Sequence, residues 1–176
     1  MTYLTKDELR RLFQAAFNHS REHHLALVAC LWHGARVSEL INLRGDDVTA
    51  DGQVIIRRLK GSNTTVQPIR KDDDVLFDET PLLALAQERK SLRLFPYCRS
   101  YFNVLMKKYG IMAGIHKSKL HIHALKHSLA MMLWTKSHDL GRLQSYLGHR
   151  AASSTLIYLY ESNHLLGQQD VAGIAI

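Results

Sequence analysis

Only two cysteines and three prolines occur in 176 residues. The two thiols, Cys30 and Cys98, lie far apart, which excludes a C-x-x-C pair and a disulfide framework and points to a reducing compartment. No signal-peptide pattern opens the chain. The longest apolar stretch, residues 25–32, falls well short of the roughly 20 residues that a membrane-spanning helix needs, so no membrane partner is expected. No internal repeat, low-complexity segment or H-E-x-x-H helix is present. Acidic residues are also scarce: 16 Asp and Glu stand against 23 Lys and Arg, for a formal charge of +7. An excess of that sign favours a polyanionic partner, because each cation that neutralises a phosphate releases a counterion. The length and a hydrophobic content of 46% suit one packed domain over residues 1–176.

What is present reads as mainly helical. Thr5 followed by Glu8 is a capping box, and Leu9, Leu12, Phe13 and Phe17 continue it at helical spacing, predicting a helix over 5–18. A nearly continuous apolar run predicts a central core helix over 22–33, and a shorter helix begins close to Arg36. Two β-rich runs, 54–59 and 64–69, flank Gly61-Ser62-Asn63, so an antiparallel hairpin with Lys60 at its tip is expected. Further helices are predicted over 82–90, 99–109, 124–135, 140–147 and 154–160, with Pro96, Gly110, Gly114 and Gly148 as breaks. The fold class is therefore α+β, mainly α with a small antiparallel hairpin, ending in a thinly patterned tail over 161–176.

Five polar side chains carry the chemistry: Arg36, Lys60, His123, His149 and Tyr158. Arginine, lysine and histidine supply donors that can hold a phosphodiester, and a phenol can attack phosphorus. Taken singly, each has a plainer reading. Tyr158 packs in a helix, Arg36 and Glu39 form a surface ion pair, Lys60 is a solvated turn lysine, and lone histidines cap helices. His121, His123 and His127 lie close in sequence, but no carboxylate completes a zinc set, so no metal is expected.

The order of the motifs resembles the catalytic domain of the tyrosine recombinases, the phage-integrase family. His33-Gly34-Ala35-Arg36-Val37-Ser38-Glu39-Leu40 is similar to the family's first arginine motif, and Leu59-Lys60-Gly61 to its hairpin lysine. His123-Ala124-Leu125-Lys126-His127 is similar to the second motif, and Leu147-Gly148-His149 with Thr155 and Tyr158 to the third motif and its nucleophile. Within the family, the likeness is nearest to the short recombinases that invert fimbrial promoter elements. Whether the chain is such a minimal recombinase or an excised catalytic domain stays open.

The resemblance implies a site-specific recombinase that cuts and rejoins double-stranded DNA by inversion, integration or excision. Tyr158 would attack the scissile phosphate, giving a 3′-phosphotyrosine and a free 5′ hydroxyl without ATP, metal or another cofactor. Arg36 would hold non-bridging oxygens, steadied by Glu39. Lys60 would protonate the leaving oxygen, His123 would accept the phenol proton, and His149 would bond a phosphate oxygen. Arg57, Arg58 and Arg150 are expected on the DNA backbone. The family's second arginine is Lys126 here, which keeps the charge but loses the planar fork. That leaves an enzyme adapted to lysine, a slow enzyme, or a DNA-binding regulator that does not cut. The resemblance further implies a homotetramer on paired sites, exchange of the tail between subunits, and a cytoplasmic, nucleoid-associated protein.

Overall fold

The computed structural model describes residues 2–59 and 61–160. In chain order the elements are α1 (Lys6–His19), α2 (Arg21–Trp32), α3 (Val37–Leu40), β1 (Gln53–Ile56), β2 (Thr65–Pro68), α4 (Pro81–Arg89), α5 (Arg99–Met112), α6 (His123–Ser137) and α7 (Leu140–Leu147). A last helix, α8, occupies 153–160. The α+β class expected from the sequence is the one observed.

Local chemistry explains where the first helices begin and end. The Thr5 hydroxyl accepts from Glu8 N while the Glu8 carboxylate accepts from Thr5 N, so two otherwise unpaired donors are satisfied together. Leu9, Leu12, Phe13 and Ala16 share the inward face of α1. Ser20 interrupts the helix with extended backbone and then caps α2 by accepting from His23 N. From His24 to Leu31 every residue of α2 is buried, because this helix packs against both α1 and α6. Each leucine sequestered there contributes roughly 1.5–3 kcal/mol before entropy is counted, which makes α2 the centre of the core.

β1 and β2 pair antiparallel in the register Val54↔Gln67 and Ile56↔Thr65, with those four side chains turned inward. The strands stop short of the predicted 54–59 and 64–69. Past Ile56 the chain leaves the ladder so that Arg58 can turn into the protein, where it is 7% exposed. The hairpin turn then touches the α7–α8 connection through Asn63 N, which donates to Gly148 O at 2.9 Å. Gly148 ends α7 at φ +68, and a Cβ there would stand 2.5 Å from Asn63 O, so both the left-handed backbone and the close approach require glycine.

The predicted helix end that moved furthest is that of α5. Gly110 does not break α5, which continues to Met112, because the missing Cβ leaves room for Leu120 to pack against the helix. Lys60 and the tail 161–176, with its expected exchange between subunits, lie outside the described residues.

Gly45 is as constrained as Gly148, for reasons of space alone. A Cβ on it would approach Ala86 O at 2.4 Å, Lys90 N at 2.5 Å and Lys90 O at 2.6 Å, all backbone atoms at the end of α4. Gly45→Ala is expected to cost about 1–3 kcal/mol, the range for overpacking a tight contact, read as a lowered urea midpoint with unchanged slope.

Candidate active site

Arg36 stands at the entrance to α3, and Glu39 lies one turn inside it. The Glu39 carboxylate folds back to accept from Arg36 N at 2.8 Å and from Arg36 Nη1 at 2.8 Å. It also accepts from Arg58 Nη1 at 3.2 Å and from Leu59 N at 3.0 Å. Burial alone would raise the pKa of Glu39. The hydrogen bonds from Leu59 and Arg36, with the charge of Arg58, instead bring it below the usual carboxylate value. Its charge thereby locks the hairpin base to the start of α3. Arg36 keeps 27% of its side chain exposed, so part of its guanidinium is open to a ligand while Glu39 and Ser62 steady the rest.

Arg58 takes the opposite position from the one expected. Its guanidinium is buried and donates to Thr65 Oγ1, Gly34 O, Glu39, His33 O and Tyr146 O. A cation so fully engaged does not grip a DNA backbone; it ties the hairpin to the ends of α2 and α7. Arg57 does face outward, paired with Asp47, and Arg150 is exposed.

Lys126 sits on the first turns of α6 and points inward, 6% exposed, and among the described residues its Nζ has no hydrogen-bond partner. Burial, together with repulsion from Arg58 and Arg36, pulls its pKa down to about 7, against the pull of Glu39. His149, 7% exposed, follows Gly148, and its Nδ1 lies 3.0 Å from Thr155 Oγ1. Burial and the charges of Lys126, Arg36 and Arg58 lower its pKa to about 4, so the ring is neutral. His123 opens α6 at an exposed position, its pKa lowered by partial desolvation and by His121, Lys126, Arg99 and Arg36.

Tyr158 lies on α8, 2% exposed, with its pKa pushed up to about 12 by burial against a lowering pull from Arg36. Its phenol oxygen is 3.2 Å from His127 Nδ1. The charge on Arg36 thus acts on His123, Lys126, His149 and Tyr158 alike, so groups from α3, α6, the α7–α8 connection and α8 surround one region. Lys60 is not among the described residues. Two of the three neighbouring histidines of α6 and the turn before it have separate partners: His121 meets Thr2 Oγ1 at 2.6 Å, and His127 meets Tyr158.

Three residues of this region were given no role in the sequence reading of the site. His127 was named in the second motif and weighed as a metal ligand, and its place next to Lys126 on a helix was legible. Thr155 carried a signal in its spacing from His149. Ser62 carried none, because a turn serine becomes a partner of Arg36 only through the path of the hairpin.

A model of the phage integrase family matches residues 2–164. Tyrosine recombinase XerA of Thermococcus kodakarensis is 32% identical over 164 residues, which cover 88% of this chain and 56% of the relative. Type 1 fimbriae regulatory protein FimE of Escherichia coli K12 is 29% identical over 194 aligned positions, covering 95% of this chain and 94% of the relative. The crystal structure of XerH site-specific recombinase bound to palindromic difH substrate, a post-cleavage complex, shares the fold with a TM-score of 0.74. It is 20% identical, and the match covers 96% of this chain and 52% of that one. The chain spans about half the length of its Xer relatives.

The buried Lys126 ammonium burdens the fold. Its pKa is about 7 folded and about 10.4 unfolded, so between those values the unfolded chain holds more protons and stability rises with pH. The cost of the buried charge is complete below pH 7 and gone above roughly pH 10.4. Lys126→Met is therefore expected to stabilise the protein at pH 7 by about 1–4 kcal/mol. Urea unfolding should show the gain shrinking as pH approaches 10; a constant gain would contradict a titrating lysine.

Proposed function

The chain belongs to the phage integrase family, and on that premise we propose that it cuts and rejoins DNA at specific sites through a covalent phosphotyrosine. The observation that supports this most directly is that the charge of Arg36 reaches Lys126, His149 and the Tyr158 phenol alike, with the Lys126 Nζ left without a hydrogen-bond partner among the described residues. A phosphodiester supplies the missing negative charge.

In this reading the Tyr158 oxygen bonds to phosphorus as the bond from phosphorus to the 5′ oxygen breaks. The phenol proton leaves, and the 5′ oxygen takes a proton from Lys60. Rejoining reverses the step, because the phosphotyrosine retains the bond energy. Arg36 and protonated Lys126 hold non-bridging oxygens, where charge gathers in the transition state. With Thr155 as donor to His149 Nδ1, the ring proton stands on Nε2 and makes a third donor. His123, exposed at the rim, is the group from which the departing phenol proton reaches solvent. Arg57 and Arg150 face outward toward the DNA backbone. A homotetramer on paired sites, with the tail passed between neighbours and the protein held on the nucleoid by its DNA, completes the reading.

A DNA-binding regulator that does not cut is the second reading. It is favoured by lysine in the place of the family's second arginine and by the burial of the phenol, which must come into contact with the phosphate before attack.

One experiment separates the two. Nicked duplexes from a library of DNA flanking the gene are incubated with the protein, and covalent adducts are resolved under denaturing conditions. The recombinase reading expects an adduct that Tyr158→Phe abolishes; strong binding with no adduct establishes the regulator, and an adduct that survives Tyr158→Phe removes the assigned nucleophile.

The rate should also depend on pH through Lys126. Below pH about 7 the ammonium is charged and ready for phosphate, and above it the protein must take up a proton to bind. Cleavage by the wild type is therefore expected to fall between pH 7 and 9 by about tenfold or more for each tenfold loss of protonated lysine at subsaturating DNA. Lys126→Arg keeps its charge and should flatten that fall.

A further inference from the structure

We propose that His127, which lies outside the set of phosphate-holding groups, is the positioning residue of the nucleophile, its Nδ1 receiving the Tyr158 hydroxyl and fixing where the phenol oxygen stands. This rests on the reading of Tyr158 as the attacking group.

The helix supplies the geometry. Lys126 and His127 are adjacent on α6, so their side chains leave it about 100° apart. Lys126 is directed toward Arg36, Arg58, Glu39 and Cys30, and His127 toward α8. His123 lies one turn earlier on the same face as His127 but at the exposed end of the helix. Among the described residues, His127 is the polar partner of the phenol, at 3.2 Å, with the rings 5.9 Å apart and inclined at 55°.

The direction of the bond follows from the charge around it. Burial and the neighbouring His123, His121 and Lys126 lower the His127 pKa to about 4, so its ring is neutral. The phenol, raised to about 12, keeps its proton. A buried hydroxyl needs an acceptor for that proton, and Nδ1 provides it, which places the ring hydrogen on Nε2. The gap between the two values keeps the proton on the phenol in the resting site. His127 orients the oxygen, and deprotonation waits until the phosphate and the cations of the site act on the phenol together. A tyrosine on an α-helix swings through two side-chain torsions, so without this bond its oxygen would sample several positions.

The test uses the whole chain and two isosteric substitutions. An asparagine amide reaches roughly where histidine Nδ1 lies, and a glutamine amide roughly where Nε2 lies. Adduct formation on the nicked duplexes is followed in a single turnover, with binding measured separately. His127→Leu and His127→Gln should slow cleavage about tenfold at saturating DNA with little change in affinity, and His127→Asn should recover most of the rate. The free proteins, labelled at tyrosine 13Cζ and with the Tyr158 resonance assigned by Tyr158→Phe, should show that resonance displaced in His127→Leu and near its original position in His127→Asn.

A His127→Leu protein that cuts at the wild-type rate or faster overturns the inference. So does equal slowing in all three variants, which would mark a packing role, or a Tyr158 resonance indifferent to His127. If the wild type forms no adduct while binding DNA, the recombinase reading falls and this one with it; a wild type that cuts while the variants behave otherwise than stated removes only His127.

Discussion

The buried carboxylate of Glu39 is the interaction on which the site depends. It accepts from two backbone amides and two guanidinium groups, and those donors come from the α3 entrance and from the base of the hairpin. Few single groups can register two such different elements. A carboxylate suits the task because it accepts at both oxygens and because charge-assisted bonds are roughly twice as strong as neutral ones. Arg58 extends the same lock to the ends of α2 and α7. Arg36, the more exposed partner, thereby stands at a fixed place relative to the α7–α8 connection, where His149 lies. Losing Glu39 would leave the buried Arg58 guanidinium without its counterion, so the lock depends on the carboxylate.

Much of this was legible because the chemistry is written in single residues at fixed spacings. Arg36 with Glu39 three residues on reads as a helix entrance with its own brace, and the structure has that arrangement. The Leu-Gly-His run reads as a helix end followed by a polar group, and Gly148 at φ +68 is its physical basis. Arg58 was misread because an arginine beside a hairpin turn is usually solvated. Its inward turn depends on carbonyls at His33, Gly34 and Tyr146, which lie far away in sequence and come together only in the folded chain. His127 was missed for a related reason: its role is defined by Tyr158 on another helix, 31 positions away. The passage of α5 through Gly110 likewise turns on Leu120, a long-range contact that outweighs glycine's weak helix propensity.

Lys126 joins the fold to the proposed chemistry. Three cations, Arg36, Arg58 and Lys126, face one buried carboxylate, and the lysine is the one that can respond by giving up its proton. An arginine in its place would stay charged and demand a counterion at all times. Lysine lets the empty site lower its own electrostatic cost near neutral pH and restore the charge when a phosphate arrives. The exchange has a consequence for control of the reaction. A bidentate fork fixes two oxygens of a phosphodiester, whereas an ammonium fixes one and leaves the group free to turn about it. Orientation of the phosphate must then come from Arg36 and His149, and orientation of the attacking oxygen from the His127 bond. In a site with a looser grip on the electrophile, a fixed nucleophile counts for more, since the reaction requires both atoms in line at once.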